Sequence, residues 1–204
     1  MAPVSNRGCG SEASMGSLKA AEEAISPAAT EIEKLIIDPG HSSIVFSVRH
    51  MVINDIRGRF TRFSGIILYS RRDAVRSSVS LTIDATTVNT DNSDRDNDLR
   101  SAKFFDSARF PQVVFHSKRI DQLCDGYVCV GDLTLHGVTE ETAICFEITG
   151  RQKDLEGKER IGFKGDLKLD RRKFGLTYNA FLANGGPVVG NEIKINLSIE
   201  AVRE

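Results

Sequence analysis

Residues His41 to Met51 read HSSIVFSVRHM. Ile44, Phe46 and Val48 fall on one side of an extended chain, and Ser43, Ser47 and Arg49 on the other. Alternation with a period of two is the mark of a strand with one wet face and one apolar face. The same rhythm recurs outward. FTRFSGIILY repeats it, and SSVSLTID sets Val79, Leu81 and Ile83 together. QVVFHSKRI, YVCVGDLTLHG, TAICFEITG, IGFKGDLKL and EIKINLSIEAV follow. In YVCVGDLTLHG, Val128 and Val130 precede Leu133 and Leu135, and Gly131 between them reads as a bulge. This makes about eight strands, punctuated by DG, HG, EG and NGG turn signals.

No long helical pattern separates the strands, so a parallel α/β sheet is not expected. The expected fold is all-β: an eight-stranded antiparallel barrel, which closes on itself and leaves no edge. A barrel of that size is just wide enough to hold its own side chains or one slender ligand. Two connections are long: Asn89 to Phe110 and Leu169 to Gly190. Long connections in a compact domain usually serve a function, and short helical segments are expected in both.

The chain has 204 residues, enough for one domain with a tail. Residues 1–33 are rich in Ala, Ser, Gly and Glu, contain no aromatic residue, and read as an extension, partly disordered or helical. The barrel domain is assigned to residues 34–204. A net charge of −1 gives no general attraction to nucleic acid. No run reaches the roughly 18 apolar residues of a membrane helix, so stable membrane insertion is not expected. The first residues lack the apolar stretch of a secretory signal, which points to the cytoplasm. The four Cys form no CxxC pair, and they read as reduced, buried small apolar residues. His41, His50, His116 and His136 show no convergent spacing, so no metal or cofactor is expected. His136, before Gly137, reads as a turn residue bonding to backbone. No GxSxG, HExxH or phosphate loop is present.

Five ordered blocks carry a family resemblance. The first is His41 to Met51 with Arg57-Gly58-Arg59-Phe60 and Phe63-Ser64-Gly65. The second is Arg95-Asp96, Leu99-Arg100-Ser101 and Phe104-Phe105-Asp106, continued by Phe110-Pro111 and Phe115. Gly131 to Thr139, then Asp170-Arg171 with Phe174-Gly175-Leu176, then Val189 to Ile195 complete the set. Together they resemble the bacterial YceI-like family over about Leu35 to Ala201. The chain departs from that pattern at Asp98, where the family commonly carries His, and at Glu140-Glu141, where Lys-Pro is usual.

The resemblance implies a lipocalin-like barrel that binds a long apolar molecule: a polyisoprenoid, an isoprenoid quinone or a fatty acyl compound, sequestered or carried. It also makes a homodimer plausible. The apolar lining is then expected from Phe46, Val48, Phe60, Phe63, Phe104, Phe105, Phe115, Leu133, Leu135, Phe146, Phe163, Leu167, Phe174 and Phe181. The same residues would equally serve as a solid core. A polar head is expected at Arg95, Arg100 and Arg171; the charged run around Arg95 and Arg100 reads alternatively as a self-paired loop. An enzyme acting on a lipophilic substrate inside the same barrel is the alternative to a carrier.

Overall fold

A computed structural model describes residues 32–204. The extension expected over residues 1–33 therefore lies outside the described residues up to residue 31. Ile32 and Glu33 are already rungs of the first strand, opposite Ser70 and Tyr69.

Eleven strands form one antiparallel sheet. They are β1 (Ile32–Ile37), β2 (Ser43–His50), β3 (Asn54–Phe60), β4 (Phe63–Ser70), β5 (Ser78–Asp84) and β6 (Val88–Asn89). After helix α1 (Ser93–Arg100) come β7 (Gln112–Leu123), β8 (Gly126–Leu135), β9 (Val138–Lys153), β10 (Glu159–Asp170) and β11 (Val189–Arg203). They occupy eight positions around a closed wall, because the first three positions are each filled by a strand broken in two. β1 with β2, β3 with β4, and β5 with β6 are the pieces, and β11 spans both β1 and β2 to close the barrel.

The breaks have local causes. Pro39 has no N–H to give a ladder, and Asp38 turns the chain by accepting from the Gly40 N–H at 2.9 Å. Thr61 and Arg62 donate their N–H groups to the O and Oγ1 of Thr87 instead of to a strand. Residues Ala85–Thr87 form a single 3-10 turn, capped by Asp84, which accepts from Thr86 N at 2.9 Å. With all three positions bent, β6 pairs only with β3 among named strands, and its outer side faces a gap above Pro111 in the wall. Helix α1 fills that gap.

One extra residue does interrupt the β7–β8 ladder, but on the other strand from the one the sequence suggests. The register slips between Ser117 and Arg119 of β7, opposite Gly131. In β8, Cys129, Leu133 and Leu135 stay in phase in the core, so Val128 and Val130 do not share their face. Gly131 is required for a steric reason: a Cβ there would lie 2.3 Å from the His116 carbonyl and 2.7 Å from Phe115 Cζ.

The end of the barrel away from α1 is sealed by ions. Buried Glu33 accepts from Arg71 Nε at 3.0 Å and lies 3.5 Å from Arg203 and 3.9 Å from Arg151. Glu159 binds Arg71 and Arg151, and the Arg151 guanidinium stacks over Tyr69 at 5.3 Å. On the side wall, Arg160 Nη1 bonds Asp38 and Glu200, each at 2.7 Å, and its Nε bonds Asp154 at 2.8 Å. These bonds tie the β1–β2 break to β10 and β11.

The Arg160 bond, then that to His41, holds the Asp38 carboxyl at a pKa of about 2, below its ordinary 3.8. A carboxyl lowered on folding stabilises the protein above its unfolded pKa, and that contribution is lost as pH falls through the folded value. Asp38→Asn is therefore expected to lower stability at neutral pH. In urea melts, the difference from the parent should shrink between pH 3.8 and about 2. A difference that stays constant over that window would refute the ionic role.

Candidate functional site

The inward faces of the strands do not meet. They enclose an upper cavity of about 140 Å³ beneath α1 and a lower one of about 100 Å³ toward the ionic seal. Ile44, Phe46 and Val48 of β2 line the upper cavity, in the alternation visible in their sequence, with Phe60 of β3 and Leu81 and Ile83 of β5. Leu133 and Leu135 of β8, Leu167 and Leu169 of β10, and Ile193, Ile195 and Leu197 of β11 face them. Leu99 of α1 and Phe104 and Phe105 from the loop after it close the top.

That top is positioned by arginines. Arg100 donates through Nε to Thr86 O at 2.8 Å and through Nη2 to Val88 O at 3.3 Å. Arg95 donates through Nη2 to Thr90 O at 2.8 Å and through Nε to Thr90 Oγ1 at 2.7 Å. The acceptors are alternate carbonyls, the spacing of groups on one edge of a strand, so the guanidinium groups satisfy the side of β6 that faces the gap. Buried Asp96 accepts from both the N–H and the hydroxyl of Thr90, at 2.8 and 2.6 Å. Asn92 caps the helix by accepting from Arg95 N at 3.0 Å. The loop then winds tightly, with Phe105 N donating to Leu99 O and Asp106 N to Ser101 O, both at 2.9 Å. This drops Phe105 against Phe60, ring centres 5.7 Å apart, and Phe60 against Phe46 at 5.6 Å. Phe104 meets Tyr178 edge-on at 5.4 Å.

The charged residue on the upper cavity wall is Arg171, 3% exposed, on the 3-10 turn after β10. Its Nε donates to Gly190 O at 2.9 Å, and its Nη1 to Leu176 O at 2.6 Å and Tyr178 O at 2.8 Å. Among the described residues, no acceptor is found for Nη2. Asp170 next to it is engaged by Arg172 instead. Burial lowers the Arg171 pKa from its usual value. A guanidinium held by neutral carbonyls in an apolar wall keeps a charge without a bound counterion.

The expected site residues separate into groups. Phe46, Val48, Phe60, Phe104, Phe105, Phe115, Leu133, Leu135 and Leu167 line the upper cavity with Arg171. Phe146 and Phe163 line the lower one, which Phe115 also borders. Phe63 and Phe174 are buried in the core and line neither cavity. Phe63 sits beside the β3–β4 break, and Phe174 sits in the turn that packs on β9. Phe181 is 71% exposed, because it lies on a small outer hairpin opposite Pro187. Arg95 and Arg100 are not on the cavity wall, since their guanidinium groups are committed to backbone. The aliphatic half of the lining, such as Ile44, Leu81, Ile193 and Leu197, goes unsingled by a reading that weighted Phe; its signal was the shared alternation.

His136 adopts a positive φ of 53°, and its Nδ1 meets Phe174 O at 3.1 Å, the turn role expected of it. Asp38, His41 and Glu200 bring donor atoms within 4.8 Å of one another, but Arg160 already bonds both carboxylates. Cys129 is buried in the lower cavity, where burial raises its thiol pKa to about 11 and keeps it neutral. Cys124 and Cys145 are exposed, against the expectation of burial, because they sit at a hairpin end and on the outer face of β9.

Comparison with known proteins adds the following. The family described as the YceI-like domain matches residues 35–201. A UPF0312 protein of Vibrio vulnificus is 32% identical over 183 residues, covering 87% of this chain and 92% of its own. The crystal structure of a Campylobacter jejuni YceI protein is 29% identical with a TM-score of 0.66, covering 76% of this chain and 90% of that one. A polyisoprenoid binding domain from Saccharophagus degradans, 17% identical with a TM-score of 0.59, shares the fold over 85% of this chain and all of its own.

If Arg100 replaces a neighbouring strand, Arg100→Ala should cost about 2 kcal/mol, the usual scale for hydrogen bonds to a charged group. Hydrogen exchange should accelerate in residues 93–107. Unchanged protection there would show that α1 is held by something else.

Proposed function

The chain belongs to the YceI-like family, and from that premise we propose that its barrel binds and sequesters or carries a long-chain apolar amphiphile. Polyisoprenoids, isoprenoid quinones and fatty acyl compounds are the candidate classes. The tail lies in the upper cavity and the polar head meets Arg171. The observation that carries this reading is the combination in one cavity of an apolar wall and a buried guanidinium with an uncommitted nitrogen. Apolar voids of this kind stay dry and accept apolar guests. Each methylene transferred from water contributes about 0.8 kcal/mol. A carboxylate, phosphate or quinone oxygen supplies the acceptor that Nη2 lacks, and a charged one forms the stronger bond.

Access follows from the same geometry. Phe104 and Phe105 belong to a loop, not to the barrel ladder, so moving them aside breaks no strand pairing. The fold shared with the Saccharophagus degradans polyisoprenoid binding domain agrees with a barrel able to enclose such a chain.

The test begins with solvent extraction of the purified protein and mass analysis of the extract, with native mass spectrometry of the intact complex. A discrete lipid mass increment is expected. Palmitate and hexadecanol then probe the head on one tail. Arg171→Met should weaken palmitate relative to hexadecanol by about tenfold or more, the scale of one charge-assisted hydrogen bond. Taking the ratio removes any general loss from the loop that Arg171 braces. Equal weakening of both would remove the head assignment, and no binding of either by the parent would remove the carrier reading.

A further inference from the structure

The upper and lower cavities are neighbours with a common boundary. Leu81 of β5, Phe115 of β7, Ile144 of β9 and Leu197 of β11 border both. Two come from the neighbouring strands β5 and β7 and two from β9 and β11 on the rest of the wall, so they form a waist across the bore. We propose that this waist is a ruler: it sets the length of tail the protein accepts, by stopping the chain end at the floor of the upper cavity. The inference deepens the reading of a tail in the barrel and rests on it.

The waist residues are held in place. Leu81 and Phe115 face each other across the β5–β7 ladder. The Phe115 ring occupies the space where a Cβ at residue 131 would sit, only 2.7 Å from Cζ. The tip of the ring thus rests over the β8 backbone at Gly131, a place that any larger residue there would deny it. Ile144 is β-branched and stiff at its first torsion. Its Cγ2 would lie 3.2 Å from a Cβ at residue 165, so Gly165 gives it room. Leu197 pairs with that same Gly165 across the β10–β11 ladder. Glycine on β8 and on β10 therefore gives space to the large residues beside it. This accounts for two glycines in strand interiors, where glycine otherwise weakens a sheet.

Below the waist, Cys129 borders the lower cavity alone of the two. The lower cavity is apolar and ends at Tyr69, Phe163 and the ionic seal. Its boundary with the upper cavity, on whose wall Arg171 lies, is the waist. While the waist stands, methylenes beyond the upper cavity gain nothing from burial. With the waist widened, they gain it again.

The experiment measures affinity for octanoate, laurate, palmitate and arachidate, which share one head, by the parent and by Ile144→Ala. Thermal melts run alongside to establish folding, and Leu197→Ala, on a different strand, serves as a second variant. In the parent, affinity should rise about fourfold per methylene and then stop rising within the series. In Ile144→Ala the rise should continue to a longer acid. Adding Cys129→Leu to that variant should bring the break back to a shorter one. A break at the same length in all folded proteins, or none in the parent, overturns the ruler while leaving tail binding intact. Failure of every acid to bind the parent removes the tail reading and the ruler with it.

Discussion

An open strand edge inside a barrel wall must be satisfied, and most of the upper half of this protein follows from how it is done. The first three wall positions bend, which carries β6 away from β7 and leaves alternate carbonyls of Thr86, Val88 and Thr90 facing a gap. Buried carbonyls without partners are costly. Arginine is suited to the position, because its planar fork donates several bonds in fixed directions and stays charged. Arg95 and Arg100 lie five residues apart on α1 and reach successive carbonyls, while Asp96 between them secures Thr90. The helix is held as if it were a strand, and the loop that follows it delivers Phe104 and Phe105 to the cavity. The charges sit beside the phenylalanines because one group places the other.

The same economy shapes the bore. Eight strands make a barrel that side chains alone can fill. This one is filled at the seal and narrowed at the waist, with space between. Tyr69 and Phe163 pack edge-on at 6.3 Å above the ionic layer, so the lower end is closed by aromatic faces backed by charge. Aliphatic residues dominate the rest of the lining, and they vary the bore without introducing polar atoms that would need partners. The cavities exist because the strands are held at a fixed spacing by a closed ladder, which the side chains cannot collapse.

Much of this was legible in the sequence and some was not, for physical reasons. The alternation of Ile44, Phe46 and Val48 named the strand and its inner face together, since a period of two assigns both. The break at Thr61-Arg62 hid within FTRFSGIILY, while β1, β3 and β6 lie beyond the ends of the alternating runs, so the count of wall positions was right while the pieces were more numerous. Gly131 marked a bulge but not which strand carried the extra residue, because the slip belongs to the pair. Arg95, Arg100 and Arg171 looked alike as candidates for a polar head. Only the structure distinguishes the guanidinium groups that satisfy the β6 edge from the one that lies on the cavity wall. Phe181 was indistinguishable from its buried counterparts, because a lone Phe in a long connection carries no periodicity to say which way it faces.

Arg171 concentrates the remaining tension in the fold. It braces the long connection through Leu176, Tyr178 and Gly190, a task that neutral donors with the same reach would perform without burying a charge. Burial disfavours that charge, as the lowered pKa records. A structural role alone leaves the choice of a cation unexplained. A structural role combined with an acceptor supplied from the cavity explains both the cation and its uncommitted nitrogen. On the proposed reading, a head group with an oxygen to offer supplies that acceptor.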